Sequence, residues 1–250
     1  MLRKNEYDSK KWNEFLMKLA LELERLQRRV IDCRKCFRLV AYLQEIEKHK
    51  PRRFQDWVYW SKPLPSFGDP YARVLIVGLA PAAHGGNRTG RMFTGDRSGE
   101  WLFGALYQFG FANRPNSLRR DDGFKLKDCY VTATIRCAPP QNKPSPEEIE
   151  NCRPYFLEEL NLLKNVQIFI PLGQIAFNHT LKALRLKGLK IPPLSFGHER
   201  VYPLPNGKTI ITSYHPSQQN TQTGKLTRAM FHKIFEIVRN KLIVAGLDNF

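Results

Sequence analysis

Apolar positions along the chain switch between two periods, and the switches mark out alternating helices and strands. From Asp8 to Val30 the apolar residues Trp12, Phe15, Leu16, Leu19, Leu23, Leu26 and Val30 recur at helical spacing, with Lys, Arg and Glu between them. Asp8 or Ser9 is the expected cap of that helix. The stretch 48–70 has no period and is rich in Pro, aromatic and basic residues, so it reads as an irregular connection over the core. Val74 to Leu79 is a short continuous apolar run ending in Gly and Pro, the pattern of a strand buried on both faces. Similar runs follow at Cys129–Ile135, Val166–Leu172 and Thr209–Tyr214. Helical patterns separate or follow them at Ser98–Phe109, Ser145–Leu163, Gln174–Leu186 and Leu226–Val244. The second of these opens with Ser-Pro-Glu-Glu, which supplies a cap, a proline in the first turn and acids at the positive end of the helix.

Strands alternating with helices predict an α/β fold, a three-layer α/β/α sandwich with a four-stranded parallel central sheet. Ligands in such sheets sit beyond the carboxyl ends of the strands. The 250 residues fit one domain spanning 1–250, with residues 1–32 forming an N-terminal helix and basic extension packed on it. No apolar run approaches a membrane span and no leader pattern is visible, so a cytoplasmic, monomeric protein is expected.

Charge narrows the partner. Lys and Arg total 40 against 23 Asp and Glu, a formal net charge of +17, which favours a polyanion, with nucleic acid first. A basic, solvated surface without a nucleic-acid partner is the blander alternative.

Five cysteines are present, and an odd count argues against a disulfide framework and for a metal site. Cys33 and Cys36 form a C-x2-C pair, and Cys137 and Cys152 stand later in the chain. Four thiolates suit either tetrahedral zinc or an iron–sulfur cluster, and spacing alone does not choose between them. Cys129 lies inside a strand and is expected to be a core thiol.

Two segments at strand ends carry the candidate chemistry. The first, GLAPAAHGGNRTGRMFTGDRSG from Gly78 to Gly99, is glycine-rich and basic. It lacks the Walker A lysine and is not a dinucleotide fingerprint. The second, SYHPSQQNTQTGKLT from Ser213 to Thr227, places His215 where the last strand ends. A histidine there can donate a hydrogen bond or stabilise an anion.

Together with the four cysteines, these two motifs resemble the family 5 (UDGb type) uracil-DNA glycosylases, across most of the chain. Where the sister family 4 enzymes read G-E-x-P-G, this chain has Leu79 and Ala82. The resemblance implies a [4Fe–4S] cluster held by Cys33, Cys36, Cys137 and Cys152, and a pocket for a base rotated out of DNA. It implies excision of uracil, and of other deaminated bases such as hypoxanthine and xanthine, in base-excision repair.

In that frame His215 is expected to donate to the departing base and Phe93 to stack on it. Gly78, Leu79, Ala80 and Pro81 would shape the pocket, with the backbone amides of Ala80–Ala83 on the base edge. Family 1 enzymes carry an Asp before the motif proline. Here it is Ala80, so the water falls to Asn87 or Asp96, and both remain open. Asp96 is equally readable as a helix cap. Family members commonly read V-T-N in the third strand. This chain reads Val131, Thr132, Ala133, which predicts weaker discrimination among bases unless Thr132 or Thr134 substitutes. Arg88, Arg91, Arg97, Ser217, Gln218, Gln219, Asn220 and Lys225 are the candidate DNA contacts. A non-catalytic iron–sulfur nucleic-acid-binding module and a small-ligand phosphate enzyme are the competing readings. A sliding clamp is a conceivable partner that no feature of the sequence calls for.

Overall fold

A computed structural model describes residues 2–244, with side chains described from Glu14 onward apart from Phe15. The expected core positions Trp12 and Phe15 therefore lie outside the described side chains. In chain order the elements are α1 (Leu2–Ile31), α2 (Phe37–Lys48), β1 (Phe67–Gly68), β2 (Val74–Gly78), α3 (Gly86–Thr89), α4 (Arg97–Gln108) and β3 (Cys129–Ala133). There follow α5 (Pro146–Leu162), β4 (Ile168–Pro171), α6 (Gln174–Leu186), β5 (Val201–Pro203), β6 (Thr209–Ile211), α7 (Gln218–Gln222) and α8 (Arg228–Val244). Helix α1 starts upstream of both Asp8 and Ser9, so neither caps it.

The sheet has six strands in the order β1-β3-β2-β4-β6-β5, not four. The four expected strands form its parallel centre, and β1 and β5 add short antiparallel edges. Two- and three-residue edge strands leave little unpaired backbone to attract another chain.

The strand alternation builds two cores. On one face Val74 and Ile76 of β2, Val131 of β3 and Ile168 and Ile170 of β4 pack with Leu102 and Leu106 of α4 and Phe231 and Phe235 of α8. On the other, Leu75, Val77, Tyr130 and Phe169 pack with Leu19 and Leu23 of α1, Phe156 of α5 and Phe177 of α6. Val74, Leu75, Ile76 and Val77 are all fully buried, each worth roughly 1.5–3 kcal/mol by transfer from water. Cys129 sits in the first core, as its strand position predicts. A third, smaller cluster gathers Leu39 and Leu43 of α2 with Cys137, Ile149 and Cys152.

Helix α5 begins as its sequence predicts. Ser145 accepts from the Glu148 N–H, Glu148 reaches back to the Ser145 N–H, and Pro146 follows. Among the described residues, no helix is long and apolar enough to cross a membrane.

Candidate active site

Both motifs meet at the carboxyl ends of β2, β3, β4 and β6. Gly78 closes β2 in register with Ala133 of β3. Phe93 lays its ring on Gly78, and a methyl group there would come within 3.0 Å of the ring. The backbone of Phe93 is left-handed, with φ of 54°. A bulky residue is rarely held that way, and such strain concentrates at functional sites. Gly99 makes room for it: a Cβ at Gly99 would fall 1.6 Å from the Phe93 carbonyl oxygen.

His215 faces Phe93 from the second motif, with ring centroids 6.1 Å apart and planes inclined by 28°. Its carbonyl accepts from the Asn220 side chain at 2.9 Å, which ties the loop to α7. Burial lowers the His215 pKa to about 4, so the imidazole is neutral at neutral pH and offers one N–H donor. The unfolded chain takes up this proton near pH 6.5, while the folded chain resists it until about pH 4. Stability should therefore fall as pH drops between those values. We expect a loss of up to about 2 kcal/mol from this residue between pH 7 and pH 5, read by urea titration and smaller in His215→Ala.

Asn87 is fully buried, and neither its amide oxygen nor its amide nitrogen has a hydrogen-bond partner. Leaving such a group unpaired costs about 1–3 kcal/mol, so the amide is held ready for a water or a ligand. Asp96 caps α4, accepting from the Gly99 N–H at 2.9 Å. The helix accordingly starts at Arg97, one residue before the expected Ser98. Its other oxygen presses on Gly85, where a Cβ would lie 2.1 Å away. Burial pushes the Asp96 carboxyl up, and the Gly99 and Ser98 N–H groups pull it partly back.

A cleft of about 690 Å³ opens alongside, lined by Ala82, Ala83, His84, Gly85 and Asp96 of the first motif and Gln218 of the second. It is also lined by Arg53, Gln141 and Asn142, which the sequence reading passed over. Gln141 and Asn142 are both left-handed, with φ of 54° and 57°, inside the turn APPQNKP. The density of Pro and Asn there was the available signal. His84 pairs with the Tyr59 hydroxyl at 3.1 Å on the cleft wall.

Residues 65–239 match the family model of the uracil DNA glycosylase superfamily. A type-5 uracil-DNA glycosylase of Thermus thermophilus is 47% identical over 86% of this chain and 94% of that protein. Another of Pyrobaculum aerophilum is 42% identical over 87% and 91% respectively. This chain belongs to the uracil DNA glycosylase superfamily, in its type-5 branch. A type-4 uracil-DNA glycosylase of Pyrobaculum aerophilum is more distant, 30% identical over 64% of this chain and 70% of that protein.

Within this superfamily fold, the expected DNA contacts divide. Arg88 and Arg91 are turned inward, which corrects the expectation for both. Arg88 is 4% exposed, bonded to the carbonyls of His84 and Gly95 and stacked on Phe54 and Trp57. Arg91 is 7% exposed and tied to Asp122, Ser117 and the carbonyls of Arg119 and Arg120. Their guanidinium groups brace the loop rather than face phosphate. Arg97, Gln218, Gln219 and Lys225 are exposed, and Ser217 caps α7. The hydroxyls of Thr132 and Thr134 are both engaged within the protein. The Thr132 hydroxyl donates to Glu159 and accepts from Ser66, on the far face of β3, and Thr134 donates to the Gly78 carbonyl.

Cys33, Cys36, Cys137 and Cys152 line one enclosed cavity with Asn151, Tyr155 and Arg136. The loop joining α1 to α2, the loop after β3 and helix α5 converge to make it. Asn151 donates to the Cys36 sulfur at 3.6 Å. Burial and the neighbouring thiols push Cys137 well up, and burial pushes Cys152 up to about 11, so these thiols keep their protons until a cationic centre displaces them. Among the described residues, no three of His, Cys, Asp and Glu form a group placed to hold a metal ion. The donor set itself, four thiols lining one cavity, fits an iron–sulfur cluster.

Proposed function

We propose that this chain hydrolyses the bond joining uracil to deoxyribose in DNA, as the first step of base-excision repair. Two supports carry most weight: the names of its type-5 relatives, and a neutral His215 set opposite Phe93 at the strand ends. A base inside a duplex is out of reach, so the nucleotide is first rotated into the pocket. Phe93 stacks on the base, contributing roughly 1–3 kcal/mol. The bond from the sugar C1′ to the base nitrogen breaks with its electron pair passing to the base, and positive charge grows on the sugar. The His215 N–H donates to the base oxygen on which negative charge collects. Water then delivers hydroxide to C1′, and its remaining proton ends on the base.

Asn87 and Asp96 both suit the handling of that water. The orphaned Asn87 amide can orient it, and the raised Asp96 carboxyl can accept its proton. Asp96→Asn separates them, because an amide oxygen keeps the cap to Gly99. If Asp96 activates water, the variant should melt within a few degrees of the parent while single-turnover base release drops by roughly 10²-fold or more.

The range of bases extends, in this reading, to hypoxanthine and xanthine, since Ala133 has no polar group to read a base edge. We expect Ala133→Asn to shift the ratio of uracil to hypoxanthine release toward uracil by roughly tenfold or more. Arg97, Ser217, Gln218, Gln219, Asn220 and Lys225 form the DNA-facing rim. Cys33, Cys36, Cys137 and Cys152 hold a structural [4Fe–4S] cluster. The four thiols that line one cavity are the donor set such a cluster takes. The deciding experiment is base release from duplexes carrying uracil, hypoxanthine or xanthine. No release from any of them, alongside tight DNA binding, would overturn the enzyme reading in favour of a binding module.

A further inference from the structure

Among the described residues, Arg136 is the largest side chain that is fully buried, at 1% exposure. One terminal nitrogen donates to Ser66 and the other to Glu159 at 2.7 Å. Glu159, itself 0% exposed, also accepts from Thr132 at 2.6 Å and from Gln27 of α1 at 3.0 Å. Glu159 is thus well supplied with donors. Arg136 is not equally supplied with acceptors: its Nε–H is buried and no protein atom accepts it. The residue lines the cysteine cavity, next in sequence to Cys137, and its backbone N–H donates to the Cys152 sulfur. A lone guanidinium N–H buried beside four thiols has an obvious class of acceptor, sulfur that carries negative charge.

We propose that Arg136 is the counter-charge and sulfur hydrogen-bond donor of the cysteine centre, and links that centre to β3 through Glu159 and Thr132. This rests on the iron–sulfur reading of the cavity. A [4Fe–4S] core with four thiolate ligands is a buried anion. Such a charge requires compensation nearby, and hydrogen bonds to its sulfurs raise its reduction potential. Glu159 divides its carboxylate among Arg136, Thr132 and Gln27. The same carboxylate ties α5, which carries Cys152, to the strand that ends at Ala133. Arg136 is therefore a positioning residue, with no contact to the base.

The test is voltammetry of anaerobically purified protein, with iron and sulfide assayed in each sample. Arg136→Lys keeps the charge and loses the Nε–H. Arg136→Met combined with Glu159→Gln removes both charges without stranding either, so it retains a folded core. The expected result is a full cluster in the parent, a potential shifted negative in Arg136→Lys, and a larger negative shift or faster loss of iron to chelator in the double variant. Should the double variant fail to fold, the lysine variant decides alone. Unchanged potentials with full clusters would overturn the proposal and leave the cluster reading standing. A parent that contains zinc, or no iron and sulfide, would sink the cluster reading and this proposal with it.

Discussion

Replacing His215 with alanine should slow uracil release by roughly 10²–10³-fold, the usual cost of losing one preorganised donor to a developing anion. The loss should appear in the single-turnover rate of base release, with DNA affinity nearly unchanged, because the hydrogen bond strengthens as charge reaches the base. The fold has little reason to suffer. The imidazole makes a ring contact with Phe93, and the hydrogen bond from Asn220 runs to the main-chain carbonyl, which alanine keeps. His215→Ala should also lose the acid-side instability tied to a histidine that stays neutral down to about pH 4. A slow variant with a flatter stability profile between pH 7 and pH 5 is the joint signature. An active variant would place the donor elsewhere, with His84 on the cleft wall next to be tested.

The largest effect on stability is expected at Glu159. Glu159→Ala would leave the Arg136 guanidinium buried with no carboxylate, and strip the Thr132 hydroxyl and the Gln27 amide of an acceptor. Breaking a buried ion pair from one side costs about 3–5 kcal/mol. Natural domains have only about 5–15 kcal/mol in total, so the variant should unfold at much lower urea concentration. Glu159→Gln, which keeps an acceptor oxygen, should lose markedly less. Surface pairs make the contrast. Arg28 with Glu24 is exposed on both sides, and Arg28→Ala should cost well under about 1 kcal/mol.

The central sheet was legible because each inner strand is a continuous apolar run, and α5 because its first four residues are a capping signal. Both readings depend on local chemistry only. Helix α2 has no counterpart among the expected elements, because Leu39 and Leu43 are its only buried positions and two residues make a weak period. Edge strands of two or three residues are too short to show a period. The candidate site was legible as residue types but not as directions. A basic glycine-rich loop announces a ligand, yet nothing local says that Arg88 will turn inward onto Trp57 while Arg97 stays in solvent. Likewise Thr132 and Ala133 are neighbours in sequence, and only the pleat decides that the hydroxyl goes to Glu159 and the methyl to the core against which Phe93 packs.

The four-thiol cavity also sets an order of events during synthesis. Cys33 and Cys36 leave the ribosome early, on the heels of α1. Their partners Cys137 and Cys152 follow only after β1, β2, α4 and β3 have been made. A contact between such distant stretches must close a long loop, which is slow and comes after the local elements it joins. Until then α1, α2 and the loop between them hold two unclaimed thiols and the apolar side chains of Leu23, Leu39 and Leu43 in the open. Any delay in translation between α2 and α5 would lengthen that exposure, so the chain's yield should depend on elongation speed across that stretch.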